Sequence, residues 1–261
     1  FLEPELAARS IPLKPLSNFI RGVLEKEVLL SMKTSWDETF ETMPLEEMRK
    51  FQLEMPNETV SWVHTRVPFY RERFKETGLE PGDVKNLEDI AKLPFTEKTD
   101  LRDNYLSGLW AVPIDDVVQV HASSGTTGKP TTGPYTEVDL EQWTECCTRV
   151  MWAQGFRPDD VCQNGLTMGL LTGGLGLHQA IRRIGCAIVP TGGGLTERQI
   201  MLMEDLGVTA FCSTPSYALT VAEKAAQIGV DLTEYPLRLA IVGAEPFTPR
   251  DEAGHRATLG G

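Results

Sequence analysis

The stretch Val117-Val118-Gln119-Val120-His121-Ala122-Ser123-Ser124-Gly125-Thr126-Thr127-Gly128-Lys129-Pro130 passes from an apolar, β-branched run into a loop of hydroxyls and glycines. Thr136-Glu137-Val138-Asp139 then opens a helix. Read as strand, loop and helix, it is the first unit of an α/β region. Downstream, short apolar runs recur at Val161 to Leu166, Cys186 to Pro190, Thr209 to Ser213 and Leu237 to Val242. Between them lie amphipathic segments of helical length, Glu137 to Gln154, Gly174 to Ile184, Glu197 to Leu206 and Ser216 to Ile228. This alternation predicts βαβ units, hence a doubly wound, largely parallel sheet with flanking helices.

Upstream of the stretch the pattern is different. Phe19 to Met32 and Leu45 to Phe74 carry apolar residues at near-helical spacing, with breaks expected at Pro56 and Pro68. A further helix start is expected near Thr96. The expected division is a mostly helical region over 1–112 and an α/β nucleotide- and acyl-binding subdomain over 113–261. At Trp143, Trp152 and Phe156 helical spacing reads as core, and Glu197 beside Arg198 reads as a solvated or structural pair.

The chain has 261 residues, 41% hydrophobic and 24% charged, which is a globular composition. A formal charge of -12 argues against nucleic acid or an anionic membrane as the main partner. It leaves room for a phosphorylated small molecule, because a local site can be rich in amide donors on an acidic protein. The five cysteines show no CxxC pair and no ligand-like spacing to a histidine. They read as reduced thiols of a cytoplasmic protein, with Cys162, Cys186 and Cys212 as small buried hydrophobes. No apolar run is long enough to span a membrane.

The chemistry concentrates in the loop. Gly125 and Gly128 allow successive amides to converge on one anion. Ser123, Ser124, Thr126 and Thr127 add hydroxyl donors, Lys129 adds a point charge, and Pro130 stiffens the exit. The spacing is not that of G-x-x-x-x-G-K-[ST], since two residues separate the glycines and proline follows the lysine. Gly243-Ala244-Glu245-Pro246 ends the last apolar run, and turn chemistry accounts for it as well as ligand contact does. Glu245 has helix capping as a rival role. Thr172-Gly173-Gly174-Leu175-Gly176 is a glycine-rich helix entrance, where close packing ranks ahead of ligand contact for any single glycine. His121 and His178 lack a partner at recognisable spacing and read as packing or hydrogen-bonding residues.

Ser-Ser-Gly-Thr-Thr-Gly-Lys-Pro-Thr (123 to 131) resembles the phosphate-loop signature of adenylate-forming acyl-CoA synthetases. Further stretches narrow the resemblance to the phenylacetate-CoA ligase family. They are Arg-Val-Pro-Phe-Tyr (66 to 70), Leu-Pro-Phe-Thr-Glu-Lys-Thr-Asp-Leu-Arg (93 to 102), Thr-Gly-Gly-Leu-Gly (172 to 176), Gly-Gly-Gly-Leu-Thr-Glu-Arg-Gln (192 to 199), Thr-Pro-Ser-Tyr (214 to 217) and Gly-Ala-Glu-Pro-Phe (243 to 247). The resemblance implies an ATP-dependent acid–CoA ligase acting on an aryl-acetic acid, with Mg²⁺ and coenzyme A, as in phenylacetate catabolism. It assigns nucleotide binding to Ser123, Ser124, Gly125, Thr126, Thr127, Gly128, Lys129, Gly243, Ala244, Glu245 and Pro246. It assigns the acid to Leu166, Leu171, Thr172, Gly173, Leu177 and Gly243. Gly165 to Leu171 is aliphatic where the family's phenylacetate enzymes carry aromatic residues and a Leu-Phe pair, and Leu177 replaces a smaller residue. That departure leaves room for another acid.

The resemblance also implies a dimer and a longer complete protein, with the catalytic lysine in a C-terminal domain. The chain is thus expected to be an N-terminal part, inactive alone, holding no catalytic or metal-ligating residue of its own. Two other readings stand beside this one. The first is an adenylyltransferase of the same family that moves AMP onto a cofactor phenol. The second is a non-catalytic nucleotide-binding module.

Overall fold

Proline and glycine set the two ends of one helix in the N-terminal part. The computed structural model describes residues 33–123 and 130–246. Among the described residues the first helices are α1 (Glu38–Glu41), α2 (Leu45–Arg66), α3 (Pro68–Thr77) and α4 (Lys98–Asp103). Pro68 opens α3, where its missing N–H is no loss, and Gly78 closes it in the left-handed conformation with φ 68. Pro56, expected to break the helix, lies inside α2. It costs a single backbone bond on a helix whose residues there are largely exposed, so water can replace it. The α4 start falls one residue later than the sequence suggests. Glu97 is its cap, while the Thr96 hydroxyl lies 3.0 Å from that of Tyr70.

The opening stretch folds differently from its reading as strand, loop and helix. The residues after the loop form a second strand. β1 (Gln119–Ala122) and β2 (Thr132–Tyr135) pair antiparallel, with Ala122 opposite Thr132, as a sheet of their own. The loop therefore joins two strands of a hairpin. The helix that follows, α5 (Glu137–Ala153), starts beyond β2 with a capping box between Thr136 and Asp139.

From α5 onward the alternation holds. In order come β3 (Val161–Asn164), α6 (Thr172–Ile184), β4 (Ala187–Val189), α7 (Thr196–Asp205), β5 (Ala210–Ser213), α8 (Pro215–Gln227) and β6 (Leu239–Val242). The four strands are parallel in the order β4-β3-β5-β6. Two cores lie on opposite faces, as the period of two along β5 requires. Ala210 and Cys212 join Met151, Trp152 and Phe156 of the α5 region and Ala180, Ile181 and Ile184 of α6. Phe211, between them, joins Ile200 and Met203 of α7 with Ala218, Val221 and Ala225 of α8. The chain winds outward from β3 to β4, then crosses back to β5 and β6, so the direction of winding reverses between β3 and β5. Such a switch point opens a crevice at the carboxyl ends of the strands, the usual ligand position in open α/β sheets. Among the described residues β6 is an edge strand.

The helical part is fastened to this layer through Trp36. Its ring lies 5.4 Å from that of Trp152, and its indole N–H donates to Glu145 at 3.1 Å.

Candidate functional site

Four segments leave the carboxyl edge of the sheet side by side, and backbone bonds hold them in register. The Gly165 amide donates to the Cys212 carbonyl at 2.9 Å, Gly192 to Asn164 at 3.0 Å and Gly243 to Ser213 at 3.2 Å. The switch point thus collects Gly165–Thr167, Thr191–Gly194, Thr214–Tyr217 and Gly243–Glu245, stretches that lie far apart in sequence. The buried Asn164 side chain ties two of the layers. Its amide donates to the Gly174 carbonyl at 2.9 Å, and its carbonyl accepts from the Leu166 amide at 3.2 Å.

Glycine here serves close packing at particular positions. A Cβ on Gly174 would lie 2.5 Å from the Thr167 carbonyl oxygen, and one on Gly176 2.4 Å from the Trp143 ring. Gly173 has open space, with Leu166 at 3.9 Å as its near neighbour. Of the other positions expected at the acid, Leu171 and Thr172 are exposed and Leu166 is half-buried. Leu177 packs against the cluster shared by α5 and α6.

The hairpin meets this edge through His121. Its ring is buried, edge-on to Tyr135 and Trp143 with both centroids 5.3 Å away. Nδ1 lies 3.0 Å from the Leu170 carbonyl, which can only accept, so the proton sits on Nδ1 and Nε2 accepts from the Gln119 amide. The same Leu170 oxygen accepts the Ala122 amide at 2.9 Å. The histidine is therefore a structural clasp, as its sequence context suggests. Trp143, read as core, is half-buried and roofs this aromatic box. Ser123 and Thr131 close the neck of the loop: the Ser123 hydroxyl accepts from the Thr131 amide and hydroxyl, each at 3.0 Å. Ser124, Gly125, Thr126, Thr127, Gly128 and Lys129 lie outside the described residues.

Glu245 caps α8. Its carboxylate accepts the Ser216 hydroxyl at 2.9 Å and the Ser216 amide at 3.1 Å. These bonds, the hydroxyl first, hold its pKa below the ordinary carboxylate value. A depressed folded-state pKa means the cap stabilises the fold at neutral pH and is lost as pH falls through the folded value. Glu245→Gln should therefore flatten the acid limb of a stability–pH profile below about pH 5, followed by urea unfolding. A variant as acid-sensitive as the parent would remove this role.

Elsewhere, Glu197 pairs with Lys224 of α8 at 2.7 Å rather than with Arg198, since adjacent helical residues do not face each other. His178 is half-buried, and burial followed by the charge of Arg182 lowers its pKa. Cys162, Cys186 and Cys212 are buried as expected. Burial, with Asp160 next, pushes the Cys186 thiol up to about 12, so it is held as the thiol. Sequence reasoning missed Gln163 and Gln199, two buried glutamines whose side chains meet at 3.1 Å beneath the Gly192–Gly194 turn. Among the described residues no cluster of His, Cys, Asp or Glu could hold a metal ion, and no helix is long and apolar enough to cross a membrane.

No family model matches the chain. Over 208 residues it is 48% identical to a phenylacetate-coenzyme A ligase of Thermus thermophilus, covering 80% of this chain and 47% of that protein. The corresponding ligase of Pseudomonas putida is 45% identical over 208 residues, with the same shares covered. Among solved structures, an open conformation of 2-hydroxyisobutyryl-CoA ligase in complex with 2-HIB-AMP and CoA superposes with a TM-score of 0.82 at 28% identity, over 88% of this chain and 55% of that one. The same enzyme in its thioesterification state gives 0.83 at 28% identity, over 87% and 50%. The chain spans about half the length of the curated relatives it matches. Over that shared half, the chain belongs to the phenylacetate-CoA ligase family of adenylate-forming enzymes.

Proposed function

We propose that the protein carrying this chain is an ATP-dependent acid–CoA ligase that activates an aryl-acetic acid of the phenylacetate class. The observation that carries the reading is the 48% identity to a phenylacetate-coenzyme A ligase over 208 residues of this chain. The neighbouring 2-hydroxyisobutyryl-CoA ligase, solved with an acyl-AMP and CoA, supports the same two-step chemistry.

In the first step a carboxylate oxygen attacks the α-phosphorus of ATP, and pyrophosphate leaves as the acyl–O–P bond forms. In the second, the coenzyme A thiolate attacks the acyl carbon and AMP leaves. The first step brings two anions together, so fixed donors around the phosphates have most to do. That task falls to the loop after Ser123 and to Lys129. Ser123 sets the loop's neck, and Gly243–Pro246 with the capped α8 entrance form the nucleotide side. Leu166, Leu171, Thr172, Gly173 and Gly243 form the acid side, with Leu177 packed against the cluster shared by α5 and α6. Mg²⁺ enters as the partner of the ATP phosphates, not as an ion held by a carboxylate cluster of the described residues. In this reading 1–112 is a helical region and 113–261 the nucleotide- and acyl-binding subdomain, in a protein that works in the cytoplasm as a dimer.

The test is pyrophosphate exchange by the full-length protein across a panel of carboxylic acids, followed by CoA-dependent thioester formation. Exchange with no acid would overturn the reading, and adenylation without thioester formation would overturn its second half. In the same assay Lys129→Ala should slow exchange by about tenfold, the loss of one charged contact to the triphosphate. An unchanged rate would remove Lys129 from the site.

A further inference from the structure

We infer that Gln199 is a positioning residue for the acid, acting through the Gly192–Gly194 turn; the inference rests on the ligase reading above. The turn is an unusual piece of backbone. Gly192, Gly194 and the non-glycine Leu195 all take left-handed conformations, with φ 66, 83 and 50. Such a sequence of conformations persists only where its surroundings over-determine it. The Asn164 carbonyl holds the Gly192 amide, and the side chains of Gln199 and Tyr217 hold the turn's carbonyls. Gln199, 1% exposed on the first turn of α7, sends its amide N–H groups to the carbonyls of Gly192 at 2.8 Å and Gly194 at 2.7 Å, with the Tyr217 hydroxyl also within 2.8 Å. Its own carbonyl accepts from Gln163 at 3.1 Å and Thr191 at 3.2 Å. Tyr217 completes the ring by donating to the Gly194 carbonyl at 2.9 Å.

The turn so held abuts the segment that follows β3. A Cβ on Gly193 would lie 3.2 Å from the Thr167 hydroxyl and 3.8 Å from the Gly165 carbonyl. On the other side, the same segment meets the entrance of α6 at Gly173 and Gly174. Gln199 therefore fixes, from beneath, the turn that abuts the segment carrying Leu166. The nearby apolar side chains, Leu166, Leu171 and Leu195, are aliphatic, which fits the organic body of an acid and not a triphosphate. A buried amide that holds both a glycine turn and a neighbouring tyrosine hydroxyl is more than a core residue. An aliphatic side chain would fill the volume but leave the Gly192 carbonyl without its side-chain donor and the Gly194 carbonyl with Tyr217 alone.

The experiment uses the full-length protein. Gln199→Leu should raise KM for the acid about tenfold or more, with KM for ATP changed less than about twofold, because a displaced turn weakens acid placement and leaves the nucleotide side alone. Tyr217→Phe, which removes one of the bonds to the turn and is the milder change, should raise acid KM about threefold in the same direction. Hydrogen–deuterium exchange of peptides covering 191–195 should accelerate in both variants, and this readout needs no turnover. A folded Gln199→Leu with unchanged acid KM and unchanged exchange in the turn would overturn the inference, as would equal rises in both KM values. If Gln199→Leu fails to fold, Tyr217→Phe decides by the same criteria. A parent protein that exchanges pyrophosphate with no acid sinks the ligase reading instead. In that case turn exchange in the variants alone decides whether Gln199 holds the turn.

Discussion

Arg238→Ala should destabilise the protein by about 3 kcal/mol, because it strands a buried carboxylate. Asp160 is 2% exposed at the amino end of the sheet. Its oxygens accept from the Thr209 hydroxyl at 2.7 Å, the Arg157 amide at 2.8 Å, and Nε and Nη2 of Arg238. Arg238 also donates to the Gly155 carbonyl at 3.0 Å. The cluster gathers the residues that lead into β3, β5 and β6, so its loss would loosen three strands at once. The Arg238 side chain is nearly half exposed, so water can solvate part of the freed charge, and the expected cost stays at the lower end of the range for broken buried pairs. Urea unfolding should show a lower midpoint with an unchanged slope. The double variant Asp160→Asn with Arg238→Ala should lose less than the sum of the two single changes, because it no longer buries a lone charge. A loss below about 1 kcal/mol for Arg238→Ala would place the pair among ordinary surface contacts.

Gly174→Ala should cost about 2 kcal/mol, and here two effects of opposite sign compete. Helix propensity favours alanine over glycine by about 1 kcal/mol in a helix interior. The added Cβ, however, would sit 2.5 Å from the Thr167 oxygen and 2.9 Å from its carbonyl carbon. Those are backbone atoms, and Asn164 pins the chain on both sides by holding Gly174 and Leu166. The neighbours cannot give way cheaply, so overpacking, at roughly 1–3 kcal/mol or more, wins. Gly173→Ala, one residue earlier and with 3.9 Å of clearance, is the control and should be neutral within about 0.5 kcal/mol. Thermal unfolding of the pair reads the difference as a fall of roughly 4–8 °C for Gly174→Ala alone. Equal midpoints would mean that the 165–167 segment is free to move.

Most of the sheet was legible because its strands are short apolar runs ending in glycine or a hydroxyl residue, and because each helix between them is amphipathic. The predicted ends of α5, α6, α7 and α8 fall within two residues of those observed. The hairpin was not legible. Thr132-Gly133-Pro134-Tyr135 carries glycine and proline, which argue against a strand, yet Pro134 is tolerated because β2 pairs with β1 alone. Recognising β2 changes the physical basis of the phosphate loop. In the proposed ligase, phosphate binding there would draw on no helix that starts at the loop's own end, because β2 intervenes before α5. Gln199 was hidden for a different reason. It follows Thr-Glu-Arg, a polar stretch that reads as a solvated face, and its partners Gln163, Gly192 and Tyr217 meet it only once the sheet is assembled.

The Leu170 carbonyl, which receives both the Ala122 amide and the His121 ring, joins the hairpin to the segment leading into α6. In dynamic terms the two pieces share one mode of motion. Any excursion that swings the hairpin away must break both bonds together, so the segment before α6 loses two anchors at once. Opening of the edge then belongs to collective motions on the microsecond-to-millisecond scale, not to nanosecond flicker of separate loops.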